Sequence, residues 1–129
     1  MKIPDELHYT EDHEWGKAED GMLRVGITDY AQNELGDIVF VDLFPKGTSV
    51  AKGDPIGTVE SVKAVSDVFA PVDGEIAEVN DSLEDKPELV NQDPYEKGWM
   101  VVLKMDDPSQ VNKLMDSQAY EEYLEAEAK

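Results

Sequence analysis

From Thr48 to Asn80 the turn signals come so close together that nothing longer than a short strand fits between them. "KGDP" and "APVDG" each combine glycine, proline and aspartate, residues that favour turns by freeing φ, fixing φ or bonding the local backbone. The stretches "TSVAKGDPIGTVESV", "AVSDVFAPV" and "GEIAEVN" therefore read as short β segments. Val59, Val62, Val65 and Val68 recur at every third position, which mimics a helical stripe. The density of β-branched side chains, with Gly57 upstream and Pro71 downstream, opposes a helix. Two strands meeting near Lys63 are expected instead, because a turn between strands also disturbs simple alternation. "VAKGDPI" and "IAEVNDSL" echo each other on either side, which hints at two similar halves joined through a central hairpin. Turns this frequent favour a small barrel or a flattened sandwich.

The flanks extend that frame. A strand is expected around Leu23 to Ile27, followed by a short helix capped by Thr28 or Asp29 and ended by Gly36 in the left-handed conformation. "DIVFVDLF" reads as one β-rich run that sends Ile38, Val39, Phe40, Val41, Leu43 and Phe44 to the core. "NDSLEDKPELVNQDPYEKG" reads as a polar loop and "WMVVLKM" as the last strand. Two helices should close the chain over 108–129. The first has Pro108 in its first turn; the second is capped by Ser117 and packs a stripe of Tyr120, Tyr123 and Leu124. At 129 residues the chain, 1–129, is expected to form a single domain.

Thirty acidic residues against 11 basic give a formal charge of −19. Such a surface repels phosphate backbones and anionic lipid heads, so neither nucleic acid nor a membrane is an expected partner. It suits solubility and docking onto basic patches. The absence of cysteine removes disulfides, thiolate catalysis and thiolate metal sites, so any sulfur chemistry must come from an attached group. "MKIPDELHYT" lacks both an apolar signal core and transit-peptide character, which leads to a cytoplasmic expectation.

Candidate chemistry is sparse. His8, Glu11, Asp12, His13 and Glu14 cluster in "HYTEDHEW", but a histidine pair five apart shares a face of neither a helix nor a strand. A polar edge, anchored to the core by Trp15, is the preferred reading. Ser61 and Ser66 lie outside any nucleophile elbow, and "GDPIG" lacks the ending of a phosphate loop. Lys63 stands apart as the only cation between Gly53 and Asp85. An exposed salt bridge to Glu60 or Asp67 would contribute only about 0–1 kcal/mol. Ala64 and the flanking valines instead put this lysine on a projecting turn, where other enzymes can reach it.

"GDPIGTVESVKAVSDVFAPVDGEIAEVN" resembles the modification segment of the biotinyl/lipoyl carrier fold, with the hairpin region at 48–80. "HEW", "VGITDYAQNELGDIVFVDLFP", "NDSLEDKPELVNQDPYEKGWM" and the tyrosine-bearing C-terminal helix narrow the resemblance to the glycine cleavage system H protein family, from about Tyr9 to Tyr123. Biotin carriers place methionines where Val62 and Ala64 stand, and the lipoyl domains of 2-oxo acid dehydrogenases lack the "HEW" and "GWM" flanks. The resemblance implies a mainly β, flattened barrel-sandwich hybrid with a short internal helix and C-terminal helices. It also implies a non-catalytic carrier bearing covalent lipoic acid on Lys63. Implied partners are a pyridoxal-phosphate-dependent glycine decarboxylase, a tetrahydrofolate-dependent aminomethyltransferase, dihydrolipoamide dehydrogenase and a lipoyl-attaching enzyme. A carrier with an exposed arm is expected to be a monomer. Glu14, Glu34 and Asp67 are candidates for a cleft that shelters the arm; Glu34 stands where some members carry histidine. The alternatives are an H-like lipoate relay or redox carrier, and an unmodified binding module that keeps Lys63 as a free amine.

Overall fold

Each turn signal between Thr48 and Asn80 becomes a turn in the computed structural model, which describes residues 1–127. The strands in chain order are β1 (His8–Tyr9), β2 (Glu14–Glu19), β3 (Met22–Ile27), β4 (Ile38–Leu43), β5 (Ser49–Val50), β6 (Pro55–Ser61), β7 (Val65–Phe69), β8 (Gly74–Val79) and β9 (Val101–Met105). They form a six-stranded sheet, β1-β2-β3-β9-β8-β5, and a three-stranded sheet, β4-β6-β7, antiparallel throughout. The central hairpin passes between the sheets. At its base Ser49 pairs with Glu75, midway Gly53 N donates to Ala70 O (2.9 Å), and near its tip Glu60 pairs with Val65. The two arms around Lys63 thus stay antiparallel.

The valine spacing of three is strand alternation interrupted by the tip. Val59 and Val68 are buried, whereas Val62 and Val65 are exposed. The "DIVFVDLF" run departs from expectation: Ile38 and Val41 are buried, but Val39, Phe40 and Phe44 face solvent. The register shifts between Ile38 and Phe40, and a bulge of this kind turns two successive side chains outward.

Helix α1 (Asp29–Leu35) begins as expected, with Thr28 Oγ1 accepting from Ala31 N at 3.2 Å. Gly36 ends it at φ 81°, ψ −160°, which is not the left-handed helical conformation expected but a region open essentially to glycine alone. The polar stretch after Asn80 is not all loop, since it holds two single-turn helices, α2 (Ser82–Asp85) and α3 (Leu89–Gln92). Each buries a single apolar residue, Leu83 or Val90, too little to leave a periodic signal. Pro108–Lys113 is a 3₁₀ turn rather than an α-helix; Asp107 caps it and the chain is extended again at Leu114. In α4 (Ser117–Glu127) the capping oxygen belongs to Asp116, which accepts from Ala119 N at 2.8 Å. Ser117 is the first helical residue, and its hydroxyl donates to Asp5 instead.

Two apolar clusters hold these elements. The larger fills the space between the sheets with residues such as Leu23, Ile56, Ile76 and Leu103, all fully buried. Each such side chain contributes about 1.5–3 kcal/mol by leaving water. The smaller joins Leu7, Tyr9, Trp15 and Tyr120 under α4. Tyr9 and Tyr120 stack there at 4.6 Å and 5°.

Candidate functional site

The tip of the central hairpin is held by its own serine. Ser61 N donates to Ala64 O (2.7 Å), while Ser61 Oγ accepts from Lys63 N (3.2 Å) and Ala64 N (3.0 Å). Val62 N donates to Asp37 O (3.1 Å), which ties the tip to the corner between α1 and β4. Asn91 on α3 locks that corner from below, donating to Gly36 O and Gln32 Oε1 and accepting from Ile38 N. The backbone around Lys63 is therefore satisfied and fixed, while the side chain itself is exposed. A Cβ added at Gly36 would lie 3.6 Å from Lys63 Cε, so the lysine stem runs over a bare shelf. Among the described residues no carboxylate forms a salt bridge with Lys63, so neither Glu60 nor Asp67 takes up its charge.

The three candidate carboxylates occupy three different settings. Glu14 is buried beneath β7, where its carboxylate accepts from Thr10 Oγ1 at 2.6 Å and from Phe69 N at 3.1 Å. Glu34 is exposed on α1 and lines a shallow cleft with His13, Tyr30, Leu35 and Ser66. Asp67 lies on the outer face of the small sheet, in register with Thr58 and Asp42. Only Glu34 borders the cleft that opens beside α1.

Burial pushes the Glu14 carboxyl up to about 7 from its ordinary 4.5, against the two hydrogen bonds, which favour the anion. The folded state therefore holds this proton more tightly than the unfolded chain. The stabilisation is complete below pH 4.5 and is lost as pH rises through about 7. Over that window the cost is about 3 kcal/mol. Glu14→Gln keeps an acceptor for Phe69 N and loses the titration. Urea unfolding at pH 5 and pH 8 should show the variant gaining on the native chain as pH rises; an unchanged difference would show that Glu14 does not carry this linkage.

The family model described as Glycine cleavage H-protein matches residues 7–127. The chain belongs to the glycine cleavage H-protein family. It is 51% identical over 125 residues to the glycine cleavage system H protein of Oceanobacillus iheyensis, covering 97% of this chain and 99% of that one. It is 53% identical over 125 residues to the one from Halalkalibacterium halodurans, with 97% and 98% covered. The crystal structure of a glycine cleavage system H protein from Mycobacterium marinum superposes with a TM-score of 0.86 at 39% identity, covering 98% of this chain and 100% of that one. The fold is thus the flattened barrel-sandwich of H proteins, which are carrier components rather than catalysts.

In this H-protein chain the two histidines have separate surroundings. His8 lies in β1 with its Nδ1 buried and unpartnered. His13 Nδ1 meets the Tyr120 hydroxyl at 2.9 Å, and that hydroxyl meets Thr28 Oγ1 at 2.8 Å. Burial lowers the His13 pKa despite Glu127 nearby, and Nε2 lies 3.4 Å from Glu127 Oε2. A relay of hydroxyl and imidazole thereby joins α4 to the cap of α1. Ser61, Gly36 and Asn91, which fix the lysine, escaped the sequence reading as site residues. For Ser61 the available signal was a hydroxyl two residues before the tip, the spacing of a serine turn.

Proposed function

We propose that this chain is the lipoyl-bearing carrier of a glycine cleavage system, with Lys63 as the attachment residue. The observation that carries it is one exposed lysine at a hairpin tip whose backbone is held by Ser61 and by Asp37 O, in a chain of this family. A lipoyl group fits here, because the lysine stem already lies over the bare Gly36 shelf and the amide nitrogen would project into open solvent. Joined through an amide, it would supply a dithiolane that takes the aminomethyl group of glycine and the accompanying electrons.

The residues of the chain perform the rest. Amide formation removes the charge of Lys63, which no carboxylate of the described residues pairs. Ser61 keeps the tip rigid, so the motion of the arm starts beyond the backbone. A short tether of this kind holds its cargo at an effective concentration on the order of millimolar beside a docked active site. The partners in turn are glycine decarboxylase, aminomethyltransferase and dihydrolipoamide dehydrogenase, with a lipoyl-attaching enzyme beforehand. The −19 charge suits successive brief encounters, since long-range attraction raises association rates without tight binding. Between encounters, carboxylates would favour a cationic amine, and Glu34 is the candidate that borders the cleft; Asp67 on the small sheet and Glu14 against Phe69 N do not line it. The carrier acts as a monomer in the cytoplasm; among the described residues no helix is long and apolar enough to cross a membrane.

Exchange of labelled bicarbonate into glycine tests this. With the decarboxylase and the lipoylated chain, exchange should be restored in proportion to added chain. A fully lipoylated sample that supports none would reject a glycine cleavage role.

A further inference from the structure

The outer face of the three-stranded sheet carries a cluster of exposed apolar side chains at the end nearest Lys63. Phe40 pairs with Glu60 and Glu60 with Val65, so these side chains form one row across the strands. Val39 at the bulge and Val62 at the tip extend that row toward Lys63. The apolar members are 48% (Val39), 54% (Phe40), 69% (Val62) and 65% (Val65) exposed. With strands about 4.8 Å apart, Phe40 and Val65 stand about 10 Å from each other across Glu60. A bulge that turns two large apolar side chains outward next to two more makes a patch of the kind that marks an interaction site. Its border is acidic: Asp37 lies behind Val62, Glu60 within the row, and Asp42 and Asp67 in the row below, all exposed.

We propose that this patch docks the enzyme that acylates Lys63, a protein whose active-site mouth has an apolar rim edged with lysine or arginine. The inference rests on the carrier reading above and adds where its first partner binds. Reach selects this partner. Before modification, Nζ extends only one lysine length beyond the tip, so the enzyme must close on whatever flanks Lys63. Neutral Nζ adds to the carbonyl carbon of an activated acyl donor, a mixed acyl–phosphoric anhydride. The N–C bond forms, the C–O bond to phosphate breaks with its electron pair leaving on the phosphate, and the nitrogen gives a proton to a base of the enzyme. Enzymes that act later on the far end of the arm meet sulfur well away from the tip and need not cover the patch. Charge complementarity supplies the basic edge, since four carboxylates frame an apolar centre on a chain of charge −19.

The test uses the full chain, a lipoyl-attaching ligase, lipoic acid and ATP, with the adduct followed by intact mass over a range of carrier concentrations. The double variant F40S/V65S should raise KM about tenfold or more while kcat stays within about twofold, because uniform binding is what it removes. F44S alters an exposed apolar residue at the far end of β4, and it should behave like the native chain. E60Q/D67N should raise KM at low salt and lose most of the salt dependence of the native chain. All variants should keep the native melting temperature, since every altered side chain is exposed. Native KM in F40S/V65S, or an equal rise in F44S, would overturn the proposal. If the native chain itself acquires no adduct, the carrier reading fails and the docking inference falls with it.

Discussion

Lys63→Arg should leave a folded protein that carries no lipoyl group and gives no bicarbonate exchange above an assay lacking the chain. Arginine keeps the positive charge and nearly the length of the stem, so the shelf over Gly36 and the Ser61 turn are undisturbed. What it lacks is an amine that can lose a proton, because the guanidinium stays charged and is not a nucleophile near neutral pH. Stability should stay within about 0.5 kcal/mol, as for other exposed substitutions. This separates chemistry from fold: the loss is complete while the melting curve is native. A Lys63→Arg chain that still gains an adduct would place the attachment on one of the nine other lysines.

Tyr120→Ala should be the most destabilising single change in the C-terminal helix, about 3–5 kcal/mol, the range for deleting a fully buried aromatic side chain. The ring is fully buried and stacks flat on Tyr9, while its hydroxyl meets Thr28 Oγ1 and His13 Nδ1. Removing it empties the second cluster and unties α4 from the cap of α1. Tyr120→Phe keeps the ring and loses only the hydroxyl, so about 1–2 kcal/mol is expected. Denaturant titration of both variants divides the packing from the relay. Equal losses would assign the whole effect to the hydroxyl and contradict the packing account.

Much of this architecture could be read from the residues because the physical signals were local. "KGDP" and "APVDG" carry their turns in their own φ preferences, and Thr28 and Gly36 bracket α1 in the same way. Lys63 was legible as a site because a lone cation between valines has no packing role, and the surrounding motifs gave it a chemistry. What escaped depends on distant register. Val39 and Phe40 read as core, yet the bulge against β6 turns both outward, and no property of "DIVFVDLF" encodes the position of its partner strand. Glu14 read as part of a polar edge and as a cleft candidate, but pairing of β2 with β3 and closure by β7 bury it. Asn91 sits in a polar stretch with no periodicity, and its three hydrogen bonds form only once α3 packs beneath the Gly36 corner.

The most direct test is the mass of the native chain after coexpression with a lipoyl-attaching enzyme, followed by mapping of the modified peptide. One lipoyl group should be gained per chain, located on Lys63 in "ESVKAVSDVFA". An unmodified mass, or an adduct on any other lysine, would contradict it.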